Sequence, residues 1–227
     1  SCRNNGAAHE VRMTTDYVGK LEQLEQRLRS MLSSHKRGDS LDAMAKLFAQ
    51  IQQTRRQLLL ERGEETVMPI AWSPLWDICT PTPQVLSSGR RLFLLYHAHC
   101  ISDEACPVVA VAEFKDYECY RFSGFNSEMI ENHPYRDRGL EAYAAHIVIN
   151  SLWIRREQGI NVVPPLHDDC SWDMYRHYFL TFPDNLFECL AKDHEVKILP
   201  GDIQSAMKTV QEQLAAEARD ELTKNNS

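Results

Sequence analysis

Two histidines one residue apart, His97 and His99, carry the sharpest chemical suggestion in the chain. Alternate residues of a strand point to the same side, so an extended His-x-His can aim both imidazoles at one divalent metal ion. Glu104 lies five residues beyond His99, and Glu104, Asp103 or Cys100 would supply the third ligand. An open position on such a metal activates water, the chemistry of a metal-dependent hydrolase or oxygenase. His97 and His99 also share their face with Phe93 and Leu95, which sets that face at the edge of a core.

Other reactive groups read as ordinary structure. His167-Asp168-Asp169-Cys170 gathers ligand types inside a proline-flanked polar loop, where Asp serves turns. Cys100 adjoins His99, but neighbours in a strand face opposite ways, so it reads as a buried cysteine and not a nucleophile. Glu113, Glu118, Glu141, Asp184 and Glu188 fall on different expected elements, so no acid–base pair can be drawn. Phosphate-binding loops, glycine-rich dinucleotide fingerprints, Gly-x-Ser-x-Gly elbows and paired Cys-x-x-Cys are all absent from the sequence. Tyr175, Tyr178, Phe179 and Phe182, with Trp172 nearby, read as core before they read as a ligand pocket.

The elements that would position these groups begin with a helical hairpin. Val18, Leu21, Leu24, Leu28 and Leu32, then Leu41, Met44, Leu47, Ile51 and Leu58, recur at three-and-four spacing. Ser33 to Ser40 breaks the pattern, and Gly63 stands where a left-handed C-terminal cap belongs. The expected organisation is a flexible start (1–14), a coiled-coil-like hairpin (15–63), a connector rich in Pro and Trp (64–90), a domain over 91–222 and a loose tail (223–227). Prolines through 69–83 exclude helix there. Strands are expected at Arg91–His99, Pro107–Phe114 and Tyr117–Phe122 as an antiparallel meander, followed by one helix over Gly139–Gln158. Tyr175–Phe182, Leu186–Lys192 and Glu195–Leu199 read as strands, and Asp202–Leu222 as a last amphipathic helix. Strands grouped in runs indicate an α+β fold with a mainly antiparallel sheet under a covering helix. The narrow stripe Ile203, Met207, Val210, Leu214 predicts that the C-terminal helix packs with the hairpin as a third helix.

The net charge of −7 is unevenly shared, +4 over residues 1–63 and −11 over the rest. In the hairpin the positive residues alternate with Glu22, Glu25 and Glu61, the pattern of a solvated helix exterior and not of a nucleic-acid surface. No apolar run approaches the ~20 residues that cross a bilayer, so no membrane span is expected. Seven irregularly spaced cysteines, in a chain large enough to form a core unaided, read as reduced and the protein as cytoplasmic; the alternative is an extracellular origin with Cys100 and Cys106 closing a short loop. A chain beginning at Ser1 reads as a processed or excised piece.

Two blocks carry a family likeness. The first runs from His133-Pro134 through Arg138-Gly139-Leu140-Glu141-Ala142-Tyr143 to Ile149-Asn150-Ser151-Leu152-Trp153-Ile154; the second is His177 to Phe182 with Phe187 to Ala191. Together they resemble a group of small, mostly bacterial proteins of unassigned function, a likeness that implies a compact α+β module and brings no activity, cofactor or catalytic residue. Pro183 stands where that pattern has histidine. His97-x-His99 resembles the first half of the cupin metal motif, whose second half has no counterpart here. Within the two blocks Arg138, Glu141, His146, Asn150 and His177 form the candidate polar site, on elements expected to touch. The functional expectation is a protein-interaction or assembly module. Its hairpin would self-associate or dock on a protein partner, because neither stripe has an interior of its own. The metal-dependent enzyme is the alternative.

Overall fold

The computed structural model describes residues 4–34, 41–99, 108–161 and 169–225. Helices α1 (Asn4–Ser34) and α2 (Leu41–Glu61) come first. Strands β1 (Thr66–Pro69), β2 (Gln84–Ser88), β3 (Arg91–His97), β4 (Val108–Lys115), β5 (Cys119–Gly124) and β6 (Ala145–Ile149) follow, then helix α3 (Leu152–Ile160). Strands β7 (Arg176–Thr181), β8 (Asn185–Ala191) and β9 (Asp193–Pro200) and helix α4 (Ile203–Asn225) complete the chain, with short 3-10 turns at Ser127–Asn132, Arg136–Arg138 and Asp169–Met174. The fold is α+β, with two antiparallel sheets in the orders β1-β6-β7-β8-β5 and β2-β3-β4-β9.

Alternation along the strands builds the layers. Leu92, Leu94 and Tyr96 of β3 and Ala110, Ala112 and Phe114 of β4 face Tyr178, Leu180, Phe187 and Cys189 of the other sheet, forming the central core. Phe93, Leu95, Val109 and Val111 point the opposite way, so the run Leu92–Tyr96 is apolar throughout because both of its faces are covered. The two sheets share a bent ribbon. Lys192 N–H donates to Lys115 O at 3.1 Å and Glu118 N–H to Leu190 O at 2.8 Å, so β4 runs on into β5 and β8 into β9 across the corner. Asp116, with φ 49°, takes the bend. The connector packs its tryptophans: Trp72 and Trp76 join the central core, and Trp72 Nε1 donates to Tyr96 Oη at 2.8 Å.

Four expectations are corrected. The helix α4 lies on the four-stranded sheet, with Ile203, Ala206 and Val210 buried on Phe93, Leu95, Val109 and Val111, and not on the hairpin. Its stripe matches the width of one sheet face between two strands. The helix expected over Gly139–Gln158 is divided: β6 takes Ala145–Ile149, Asn150 turns at φ 55°, and α3 starts at Leu152. Its valine and isoleucines suit a strand paired on both sides, and that pairing overrides the helical spacing. The meander is interrupted, since β5 pairs with β8 in the other sheet. The connector contributes β1 and β2, both edge strands.

The hairpin itself stands. α1 packs on α2, Arg55 bridges to Glu25 at 2.8 Å, and Gly63 ends α2 at φ 64° with Glu64 N–H on Leu59 O at 2.9 Å. α2 is also tied to the sheets. The buried Arg56 donates to Val67 O at 3.1 Å and Gly139 O at 2.6 Å and pairs with Glu141. A Cβ at Gly139 would come within 2.7 Å of Val67 O, and its φ of 102° suits glycine alone, so the close approach depends on this residue.

Candidate functional site

The polar residues converge on the outer face of the five-stranded sheet. In β7 the pleat sends Tyr178 and Leu180 into the core and His177, Phe179 and Thr181 outward. Across the sheet Val148 lies beside His177, and Glu188 beside Phe179, on the same outer side. At the end of β6 the left-handed Asn150 turns the chain, so Ser151 becomes the N-cap of α3 with its Oγ accepting from Ile154 N–H at 3.2 Å.

That turn sets Ser151 Oγ 2.9 Å from His177 Nδ1, while His177 Nε2 lies 3.0 Å from Glu188 Oε2. Nε2–H donates to the carboxylate, so Nδ1 is the free acceptor for the serine O–H, and one neutral tautomer satisfies all three groups. The imidazole is buried and Glu188 nearly so. Trp153 meets the His177 ring edge-on at 5.1 Å and carries the Arg121 guanidinium 4.0 Å from its own ring. Beside this relay, Glu65 accepts from Leu152 N–H at 2.8 Å and from Tyr135, whose phenol is pushed up mainly by burial. Burial holds His133, against Phe179, below its ordinary value.

A pocket of about 370 Å³ opens along Asn150, Ser151 and His177, within the range of small-ligand sites. Ile149, Ile154, Trp172 and Tyr175 supply apolar walls, and Arg155 and Arg176 bring two positive charges against the one negative charge of Asp173. Trp172 and Tyr175 therefore line a cavity, whereas Tyr178 and Phe182 belong to the central core.

The sequence candidates are distributed over two clusters. His177 joins Ser151 and Glu188. His146 is fully buried, accepting from Glu141 N–H at Nε2 (3.3 Å) and lying 3.2 Å from Phe179 O through Nδ1; burial lowers its pKa to about 4. Glu141 and His146 thus form the second cluster with Arg56. Arg138 bonds Glu65 O at 3.0 Å, and Asn150 Nδ2 bonds Glu64 O at 3.3 Å, two ties between the clusters and the start of β1. Ser151, Glu188, Glu65, Arg56 and Tyr135 were not among the candidates. A carboxylate at Glu188 between Leu186 and Leu190 was the available signal, since an acid on the apolar side of a strand needs a partner.

The His-x-His pair lies elsewhere. His97 is half-buried at the end of β3 and His99 exposed, and Asp77 nearby is held below the usual carboxylate range chiefly by the N–H groups of Thr80 and Cys79. Glu104, Asp103 and Cys100 lie outside the described residues, as do His167 and Asp168. Among the described residues no three metal-capable side chains gather.

Fold and site together define an α+β protein of two packed antiparallel sheets with a buried Ser–His–Glu relay beside a surface pocket. Comparison with protein-family models, with curated proteins and with solved structures finds no match to this chain. No described helix is long and apolar enough to cross a membrane.

Proposed function

We propose that this protein is an assembly module that pairs with a second copy of itself through α1. One observation carries the reading: from Asp16 to Ser33 no side chain of α1 is fully buried, and Val18, Leu21, Leu24 and Leu28, with Met31 where the sequence stripe had Leu32, are only half-buried. Beneath it Leu47, Ile51 and Leu58 of α2 are fully packed. At the loop end Leu32 and Leu41 remain 52% and 86% exposed, so apolar surface continues past the α1–α2 seam. A helix covered on one side gains stability when a partner helix covers the other. Lys20, Arg27 and Arg29 are mixed with Glu22 and Glu25 along α1, so an antiparallel two-fold copy can set the acidic pair against the basic residues. The free thiols of Cys79, Cys119 and Cys189 support a cytoplasmic setting.

Light scattering over a concentration series tests the pairing. The full chain is expected to run as a dimer, and Leu24→Glu with Leu28→Glu to run as a monomer with its sheet signal in circular dichroism intact. A wild-type protein that stays monomeric throughout the series would refute the module.

A further inference from the structure

We propose that Ser151, His177 and Glu188 form a hydrolytic site for short carboxylic esters that carry an acidic group. Three observations meet there. Ser151 Oγ stands 2.9 Å from His177 Nδ1, with His177 Nε2 3.0 Å from Glu188 Oε2, the hydroxyl–imidazole–carboxylate order of an activated serine; the imidazole offers its nitrogens in the reverse of the more familiar sense, with unchanged roles. The serine follows a left-handed residue at a strand-to-helix turn, which sets it at the end of β6 as the first residue before α3. Ser151 and His177, 4% and 1% exposed, both stand in the wall of the pocket of about 370 Å³, a space of the size of a small ester.

The reaction follows from the geometry. Ser151 Oγ attacks the ester carbonyl carbon and its proton passes to His177 Nδ1, with Glu188 holding the imidazolium through Nε2–H. The adduct collapses, the bond to the leaving alkoxide breaks, and Nδ1 returns the proton to it. Water then attacks the acyl-serine, giving a proton to Nδ1. The serine ester breaks, the free acid leaves and Oγ recovers its hydrogen. Leu152 N–H, next to the nucleophile, is already held by Glu65 at 2.8 Å. Charge on the tetrahedral oxygen therefore falls to Arg155, one helical turn beyond Ser151 on the pocket wall, whose guanidinium gives one N–H to Asn150 O at 2.7 Å and has five to donate. Arg176, on the same pocket, selects the substrate's carboxylate. Glu188 is a positioning residue.

The full-length protein is treated with a fluorophosphonate probe and assayed with p-nitrophenyl acetate and p-nitrophenyl hydrogen succinate. One label per chain on Ser151, mapped by peptide mass spectrometry, is expected, with the succinate ester preferred. Ser151→Asn keeps a capping oxygen for α3 but has no nucleophile; it should lose the label and about 100-fold in hydrolysis. Glu188→Gln should lower kcat with little change in KM and move the acid limb of the pH–rate profile to lower pH. A merely structural glutamate would not move that limb. Folded wild-type protein that takes no label on Ser151, or Ser151→Asn that hydrolyses both esters at the wild-type rate, would overturn the assignment.

Discussion

His146 shows how one buried side chain couples stability to pH. With Nε2 accepting from Glu141 N–H, a proton on that nitrogen would face a donor and put a charge where no water reaches. Its pKa is accordingly about 4 in the fold, against about 6.5 for an exposed imidazole. A depressed folded value means that the unfolded chain takes the proton first. The stabilisation is therefore complete above about pH 6.5 and is lost as pH falls through about 4, at most about 3 kcal/mol from this group. His133 and His194, both lowered by burial, act with the same sign. Urea unfolding at pH 7.5 and 4.5 should show a marked loss at the lower pH, smaller in His146→Gln. Equal losses in the two proteins would remove His146 from the account.

At the scale of elements, α4 shows how position follows from the neighbouring surface more than from the stripe itself. Asp202 caps it, its carboxylate accepting from Ser205 N–H at 2.8 Å, and Arg91 fastens the far end by pairing with Glu113 at 2.6 Å and with Glu217. Between these ties Ile203, Ala206 and Val210 close the outer side of β3 and β4. Ile203→Ala should cost about 2 kcal/mol or more, the usual loss for a buried isoleucine. Because the buried face of α4 packs on β3 and β4, chemical denaturation should give the same loss in the Leu24→Glu, Leu28→Glu background. A loss that disappears in that background would return α4 to the hairpin.

Over the whole molecule the two hairpin helices have unequal standing. α1 is held to α2, with Glu25 bridging to Arg55, whereas α2 sends Arg56 into the junction of β1 with the 139–141 segment. A chain starting at Leu41 should retain the cooperative unfolding of the full protein. A chain starting at Glu64 should lose about 3 kcal/mol more, since the three bonds from Arg56 to Val67 O, Gly139 O and Glu141, about 1 kcal/mol net each, are gone. Thermal unfolding of the two shortened chains measures the difference. Equal stabilities would show that α2, like α1, is an appendage.

Local pattern alone determined the hairpin, the Gly63 cap, the exclusion of helix from 69–83, the strands from Arg176 onward and the helix after Asp202, because each is written in the spacing or chemistry of adjacent residues. His177 was legible as a polar residue in an apolar strand. Its partners were not: Ser151 and Glu188 lie 26 and 11 residues away, and hydrogen bonds across strands depend on register, which no local pattern specifies. The division of Gly139–Gln158 into strand and helix was likewise a tertiary decision, since Ala145–Ile149 gains ladders to β1 and β7 that outweigh its helical spacing. The same holds for α4. A four-and-three stripe is satisfied equally by a helix pair or a two-strand apolar face, and only the packed sheet, with Phe93, Leu95, Val109 and Val111 brought side by side, decides between them.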